Sequence, residues 1–122
     1  MITGVVQGDE GRIRLKVSGP RGKELELEAV IDTGYTGSLT LPPSITAALR
    51  LPWQKVDRGI LADGSECLFD VYEVKVRWDG KIRHILVGEV DGDPLVGMAL
   101  LRGYELTMQV RTRGRLTIKR LR

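Results

Sequence analysis

The sequence predicts an all-β domain, and three observations predict it. Apolar residues recur with a period of two, Asp-Gly and Gly-Pro pairs stand at the corners, and only two short segments read as helix. Alternation sends every second side chain to one face of a strand, the pattern of a sheet buried on one side.

The elements follow in order. Ile13, Leu15 and Val17 alternate with Arg12, Arg14 and Lys16; Leu25, Leu27, Ala29 and Ile31 alternate with Glu24, Glu26 and Glu28. Tyr72, Val74, Val76 and Trp78 alternate with Glu73, Lys75 and Arg77, and Tyr104, Leu106, Met108 and Val110 with Glu105, Thr107 and Gln109. Turns are expected at Asp9-Glu10-Gly11, Gly19-Pro20, Asp63-Gly64, Asp79-Gly80, Asp91-Gly92 and Arg113-Gly114, because Asp and Gly tolerate the positive φ of tight hairpins. A proline start and good helix formers predict a helix over 43–50, stopped before Pro52. A second covers 98–102 and ends at Gly103, a C-cap residue. The result is roughly seven to nine strands with one or two helical turns, a small barrel or sandwich.

With 122 residues the chain is sized for one domain, spanning 1–122, with a core that buries about two-thirds of the unfolded surface. No apolar run approaches the roughly 20 residues of a membrane span. The first residues lack the basic-then-apolar pattern of a secretion signal, so a cytosolic location is expected. One cysteine, Cys67, excludes an internal disulfide, and one histidine, His84, argues against a His-rich metal site or a Ser-His-Asp triad. Chemistry must come from carboxylates, hydroxyls and backbone.

Nineteen basic residues stand against sixteen acidic, a net charge of +3. Six of the basic ones, Arg111, Arg113, Arg115, Lys119, Arg120 and Arg122, crowd the last twelve residues, where there is no acid. Such an end could bind nucleic acid. Leu116 and Ile118 alternate with the charges and no aromatic residue is interleaved for base stacking, which favours arginines flanking an edge strand instead.

One segment departs from the pattern. The strand through Leu27-Glu28-Ala29-Val30-Ile31 turns fully apolar and ends in Asp32-Thr33-Gly34. A carboxylate at the inner end of an apolar strand is costly unless hydrogen-bonded or put to use. Thr33 offers a hydroxyl and Gly34 an unhindered N–H to steady it.

With its surroundings, this segment resembles the retropepsin-like aspartic proteases, and the wording resembles the bacterial members most. The apolar strand into Asp32-Thr33-Gly34 is followed by Ser38-Leu39-Thr40-Leu41-Pro42. A hairpin around Leu61-Ala62-Asp63-Gly64-Ser65 sits where that family has its flap, and Leu95-Val96-Gly97 then precedes a short helical segment. The resemblance covers nearly the whole chain. It implies a small closed barrel of the acid-protease type, Asp32 as catalytic residue, Thr33 and Gly34 as its support, and Ala62, Asp63, Gly64 and Ser65 as flap and substrate-binding residues. It also implies a polypeptide substrate and a homodimer built partly from the terminal strands, residues 2–6 and 115–121. Two departures stand out: Tyr35 where the family has Ala or Ser, and Met98 where retroviral members place arginine.

The chemistry can also be argued from the residues. Peptide hydrolysis by carboxylates needs one group to take a proton from water and another to give one to the substrate. Two close carboxylates sharing a proton do this, with no metal and no cofactor. The chain has one Asp-Thr-Gly and hence half a dyad, so catalysis requires two copies about a two-fold axis. The expected function is an aspartic endopeptidase; the alternative is a retropepsin-fold module that binds a peptide or partner without cutting it. Cys67 and His84 read as strand residues, Asp91 and Asp93 as a turn, and Trp53 and Trp78 as packing.

Overall fold

A computed structural model describes all 122 residues. Ten strands and two short helices run as β1 (Ile2–Gln7), β2 (Glu10–Ser18), β3 (Glu24–Ile31), β4 (Leu39–Leu41), α1 (Pro43–Ala48), β5 (Trp53–Ile60), β6 (Glu66–Trp78), β7 (Lys81–Glu89), β8 (Leu95–Val96), α2 (Met98–Leu101), β9 (Tyr104–Met108) and β10 (Arg115–Arg120). The fold is mostly β, with more strands than expected. Alternation could not reveal β4 and β8: they are short, apolar and lie inside the sheet, with Leu39, Thr40, Leu41 and Val96 all buried.

Local turn chemistry sets the hairpins. Asp79 and Gly80 both hold positive φ, at 51° and 79°, so β6 and β7 join through a two-residue loop of the primed kind. The first hairpin is displaced by one residue from Asp9-Glu10-Gly11. Gly8 and Asp9 take the positive φ values, 58° and 60°, and Gln7 pairs with Glu10.

All ten strands belong to one sheet in the order β5-β6-β7-β4-β8-β3-β2-β1-β10-β9. β6 additionally pairs with β2, Val17 opposite Val76, so the two long strands bring distant parts of the sheet together. The core lies between them. Ile13, Leu15, Val17, Val74, Val76, Trp78, Leu116 and Ile118 supply its strand side, and Leu100 and Leu101 of α2 join the same cluster. Trp78 packs edge-on against Tyr104, with ring centroids 5.8 Å apart.

The basic end forms a strand, but not an edge strand. β10 lies between β1 and β9, buries Leu116 and Ile118, and turns Arg115, Lys119 and Arg120 outward. The free edges of the sheet are β5 and β9.

Leu100 is fully buried where α2 meets the core. Leu100→Ala is expected to lower stability by about 2–5 kcal/mol in denaturant titration, since the cavity left cannot fully collapse.

Candidate active site

The site begins where β3 ends. β3 runs parallel to the two-residue β8, Val30 beside Leu95 and Ile31 beside Val96, and the Asp32 N–H donates to the Val96 carbonyl at 2.9 Å. The chain then leaves the sheet. The Gly34 N–H donates to Asp32 Oδ1 at 2.9 Å and the Tyr35 N–H to the Asp32 carbonyl at 3.1 Å, so the loop curls around its own carboxylate. Asp32 is half-buried, while Thr33 and Gly34 are exposed.

What holds this loop is the start of α2. The first N–H groups of a helix have no partner within it. Here Gly97 N–H donates to Ser38 O at 2.9 Å, Met98 N–H to Tyr35 O at 2.8 Å, and Ala99 N–H to Gly37 O at 3.1 Å. The approach is so close that only glycine fits at 97. A Cβ there would lie 2.2 Å from the Gly37 carbonyl oxygen and 2.5 Å from Tyr35 Cδ2.

Asp32 opens on a cleft of about 310 Å³ whose apolar lining is Val6, Val30, Ile31, Leu95, Met108 and Val110. Asp9, Glu10 and Gly11 complete the wall. Arg12 stands behind this rim, donating to Glu10 and Glu28 at 2.7 Å each and lying 3.5 Å from Asp93. One guanidinium thus faces three carboxylates.

The β5–β6 hairpin rises on another side. Its register puts Asp57 opposite Phe69 and Gly59 opposite Cys67 on one face. Val56, Arg58 and Ile60 share the other face with Asp70, Leu68 and Glu66. The apolar residues of the hairpin are split between its faces: Ile60 and Leu68 are exposed, while Cys67 and Phe69 are half-buried. At the tip the Gly64 N–H donates to Leu61 O at 2.9 Å, with Gly64 at φ +85°. Asp63 accepts hydrogen bonds from the Ser65 hydroxyl and N–H, which hold its carboxyl below the usual range.

The structure thus gathers Asp32, Thr33 and Gly34 in one clamped loop beside the cleft. It does not bring the tip residues Ala62, Asp63, Gly64 and Ser65 into that cleft, where none of them lines the wall. The terminal strands pair within the chain: Ile2–Val5 with β10, and β10 on its far side with β9. Sequence reasoning missed Val6, Asp9, Glu10, Met108 and Val110 as neighbours of Asp32. Only the pairing of β1 with β2 and β10 brings these distant segments together. Of the remaining candidates, Trp78 is core, Trp53 is an edge residue donating from Nε1 to Asp70 at 2.9 Å, and His84 and Asp91 are exposed.

Comparison with known proteins gives a likeness of fold. The chain is similar to the crystal structure of a retropepsin-like aspartic protease from Rickettsia conorii, with a TM-score of 0.55 and 14% identity over 99% of this chain and 92% of that one. No family model matches the sequence, and no curated protein matches it.

Two outcomes follow from this geometry. Gly97→Ala forces the loop and α2 apart and is expected to cost about 1–3 kcal/mol in thermal or denaturant unfolding. Gly80→Ala, at a turn where nothing lies within 4 Å of the added Cβ, bears only its positive-φ strain and should cost less. At the hairpin tip, Ser65→Ala should raise the Asp63 titration seen by NMR. The sign follows from the lowered carboxyl: its stabilisation of the turn is present above the ordinary carboxylate range and is lost as pH falls through the lowered value.

Proposed function

We propose that the chain is an aspartic endopeptidase working as a homodimer, on a small barrel closed by the β6–β2 pairing. The observation that carries this reading is the clamped Asp32 loop. The carboxylate is oriented by the Gly34 N–H, left partly open to solvent, and set at the edge of an apolar cleft able to take peptide side chains. The likeness of fold to a retropepsin-like aspartic protease supports it.

Mechanistically, Asp32 of each copy supplies half of a dyad that shares one proton. The ionised carboxylate accepts a proton from a water held between the two, and that water attacks the peptide carbonyl. The protonated partner gives its proton to the carbonyl oxygen as the tetrahedral intermediate forms. The proton taken from water then passes to the amide nitrogen, the C–N bond breaks, the amine leaves, and the hydroxyl proton of the new acid returns to the dyad. Thr33, exposed beside Asp32, meets its counterpart across the axis, and the β5–β6 hairpin acts as a flap that holds an extended peptide and excludes water.

Asp32→Asn is expected to abolish cleavage of denatured protein or peptide mixtures while leaving the melting temperature close to that of the parent, and Thr33→Ala to weaken the dimer as well. Sedimentation at tens of micromolar should show a dimer. A strict monomer, or full activity in Asp32→Asn, would overturn the endopeptidase reading. A second reading, a peptide-binding module that does not cut, is favoured by the Tyr35 ring packed beside the Asp32 loop; it predicts peptide retention without cleavage by the unaltered protein.

A further inference from the structure

Tyr35 is the bulkiest side chain of the Asp32 loop, and its ring lies against two glycines, Gly37 and Gly97. A Cβ at Gly37 would lie 2.2 Å from the Tyr35 hydroxyl oxygen, and one at Gly97 would lie 2.5 Å from Tyr35 Cδ2. On β7, a Cβ at Gly88 would lie 4.0 Å from the same hydroxyl and 3.1 Å from Phe69 of the hairpin. On β5, one at Gly59 would lie 3.2 Å from Phe69. Two rings therefore occupy the space left by four absent side chains, between the Asp32 loop and the β5–β6 hairpin. Burial pushes the Tyr35 phenol upward in pKa and the charge of Asp57 on β5 adds to this, which agrees with a hydroxyl directed at the hairpin.

The open volume lies elsewhere. The 310 Å³ cleft beside Asp32 is lined by β1, β2, β3, β8 and β9 and the segments that follow them, and neither Tyr35 nor Phe69 contributes to its wall. The loop that carries Asp32 therefore has two different neighbours: the rings packed on Gly37 and Gly97, toward the hairpin, and the open cleft that Asp32 itself lines. An extended peptide sends successive side chains to opposite sides. Passing Asp32, it would present one residue to the open cleft and the next to the rings.

We propose that Tyr35 is a specificity-determining residue: its ring fills the hairpin side of the site and restricts a bound peptide to a small side chain, Gly, Ala or Ser, at the position facing it. The proposal rests on the reading that an extended peptide binds beside Asp32, and it adds which residues that peptide carries. A larger side chain at that position would have to displace a ring wedged against the backbone of Gly37 and Gly97, and close-packed backbone does not yield cheaply.

The test is made on the full chain carrying Asp32→Asn, so that binding is read without cutting. A randomised octapeptide library is passed over the immobilised protein, and retained peptides are sequenced. With Tyr35 present, one position should be restricted to Gly, Ala and Ser. Tyr35→Ala should admit Val, Leu and Phe there with at least tenfold enrichment and leave the other positions unchanged. Tyr35→Leu, which keeps an apolar contact with the glycines, should fall between, and Tyr35→Phe should behave as the parent. An identical profile with and without the ring, a Tyr35→Phe profile as broad as that of Tyr35→Ala, or no retention by any form would overturn the proposal. Cleavage by the unaltered protein is scored separately. A chain that retains small-residue peptides but never cuts them loses the endopeptidase reading and keeps the role of Tyr35.

Discussion

Three backbone amides at the start of α2, those of Gly97, Met98 and Ala99, donate to the carbonyls of Ser38, Tyr35 and Gly37, and the Asp32 loop takes its shape from them. A loop leaving a parallel strand pair has carbonyls without partners, and a helix start has amides without partners. Each supplies what the other lacks. The exchange works only because α2 is anchored from below, Leu100 and Leu101 being buried in the core, and because Gly97 lets the two backbones touch. The carboxylate is thus positioned by the core through backbone alone, which leaves Asp32 and Thr33 free to face outward.

The electrostatics follow from the same framework. β2 and β3 pair along their length and set Arg12 and Arg14 beside Glu28 and Glu26, ion pairs at 2.7 and 2.8 Å on the outer face. Such exposed pairs contribute little stability individually. Their effect here is one of sign. Arg12 is shared among Glu10, Glu28 and Asp93, and Asp9 and Glu10 stand on the wall of the cleft itself. The charged residues on that wall, Asp9, Glu10 and Asp32, are all acidic, although the chain as a whole carries an excess of cations.

Much of this was legible in the sequence, and the parts that were not share a cause. β2, β3 and the second half of β6 bury one face each, so alternation revealed Ile13 to Val17, Leu25 to Ile31 and Tyr72 to Trp78. Asp32-Thr33-Gly34 stood out as a carboxylate closing an apolar strand. β4 and β8 stood out only as motifs of the resemblance and not as strands, since a short apolar strand inside the sheet has no period, and they are the strands that carry the Asp32 loop and α2. The wall of the cleft was hidden for a different reason. Val6, Asp9, Met108 and Val110 become neighbours of Asp32 through pairings between the two ends of the chain, and no local pattern encodes which distant strands adjoin. The position of β10 inside the sheet escaped on the same ground: its charges suit an edge, but β9 covers that edge.

Tyr35 shows how one residue can be visible in the sequence and opaque in its consequence. A large side chain after Asp32-Thr33-Gly34 suggests a narrower site, but whether the ring lies in the cleft or away from it depends on where the chain leaves room. Gly37, Gly59, Gly88 and Gly97 come from the loop, β5, β7 and the approach to α2, and only the fold brings them around one pair of rings. The result is an Asp32 loop with rings packed against it toward the hairpin and an open cleft at its carboxylate. If two copies complete the dyad, the two-fold axis repeats that inequality on both sides of the bond to be cut. A peptide strand alternates its side chains along its length, so each half of the substrate would meet one ring and one cleft. Selectivity would then come from the spacing of small and large residues about the cut more than from any single favoured side chain.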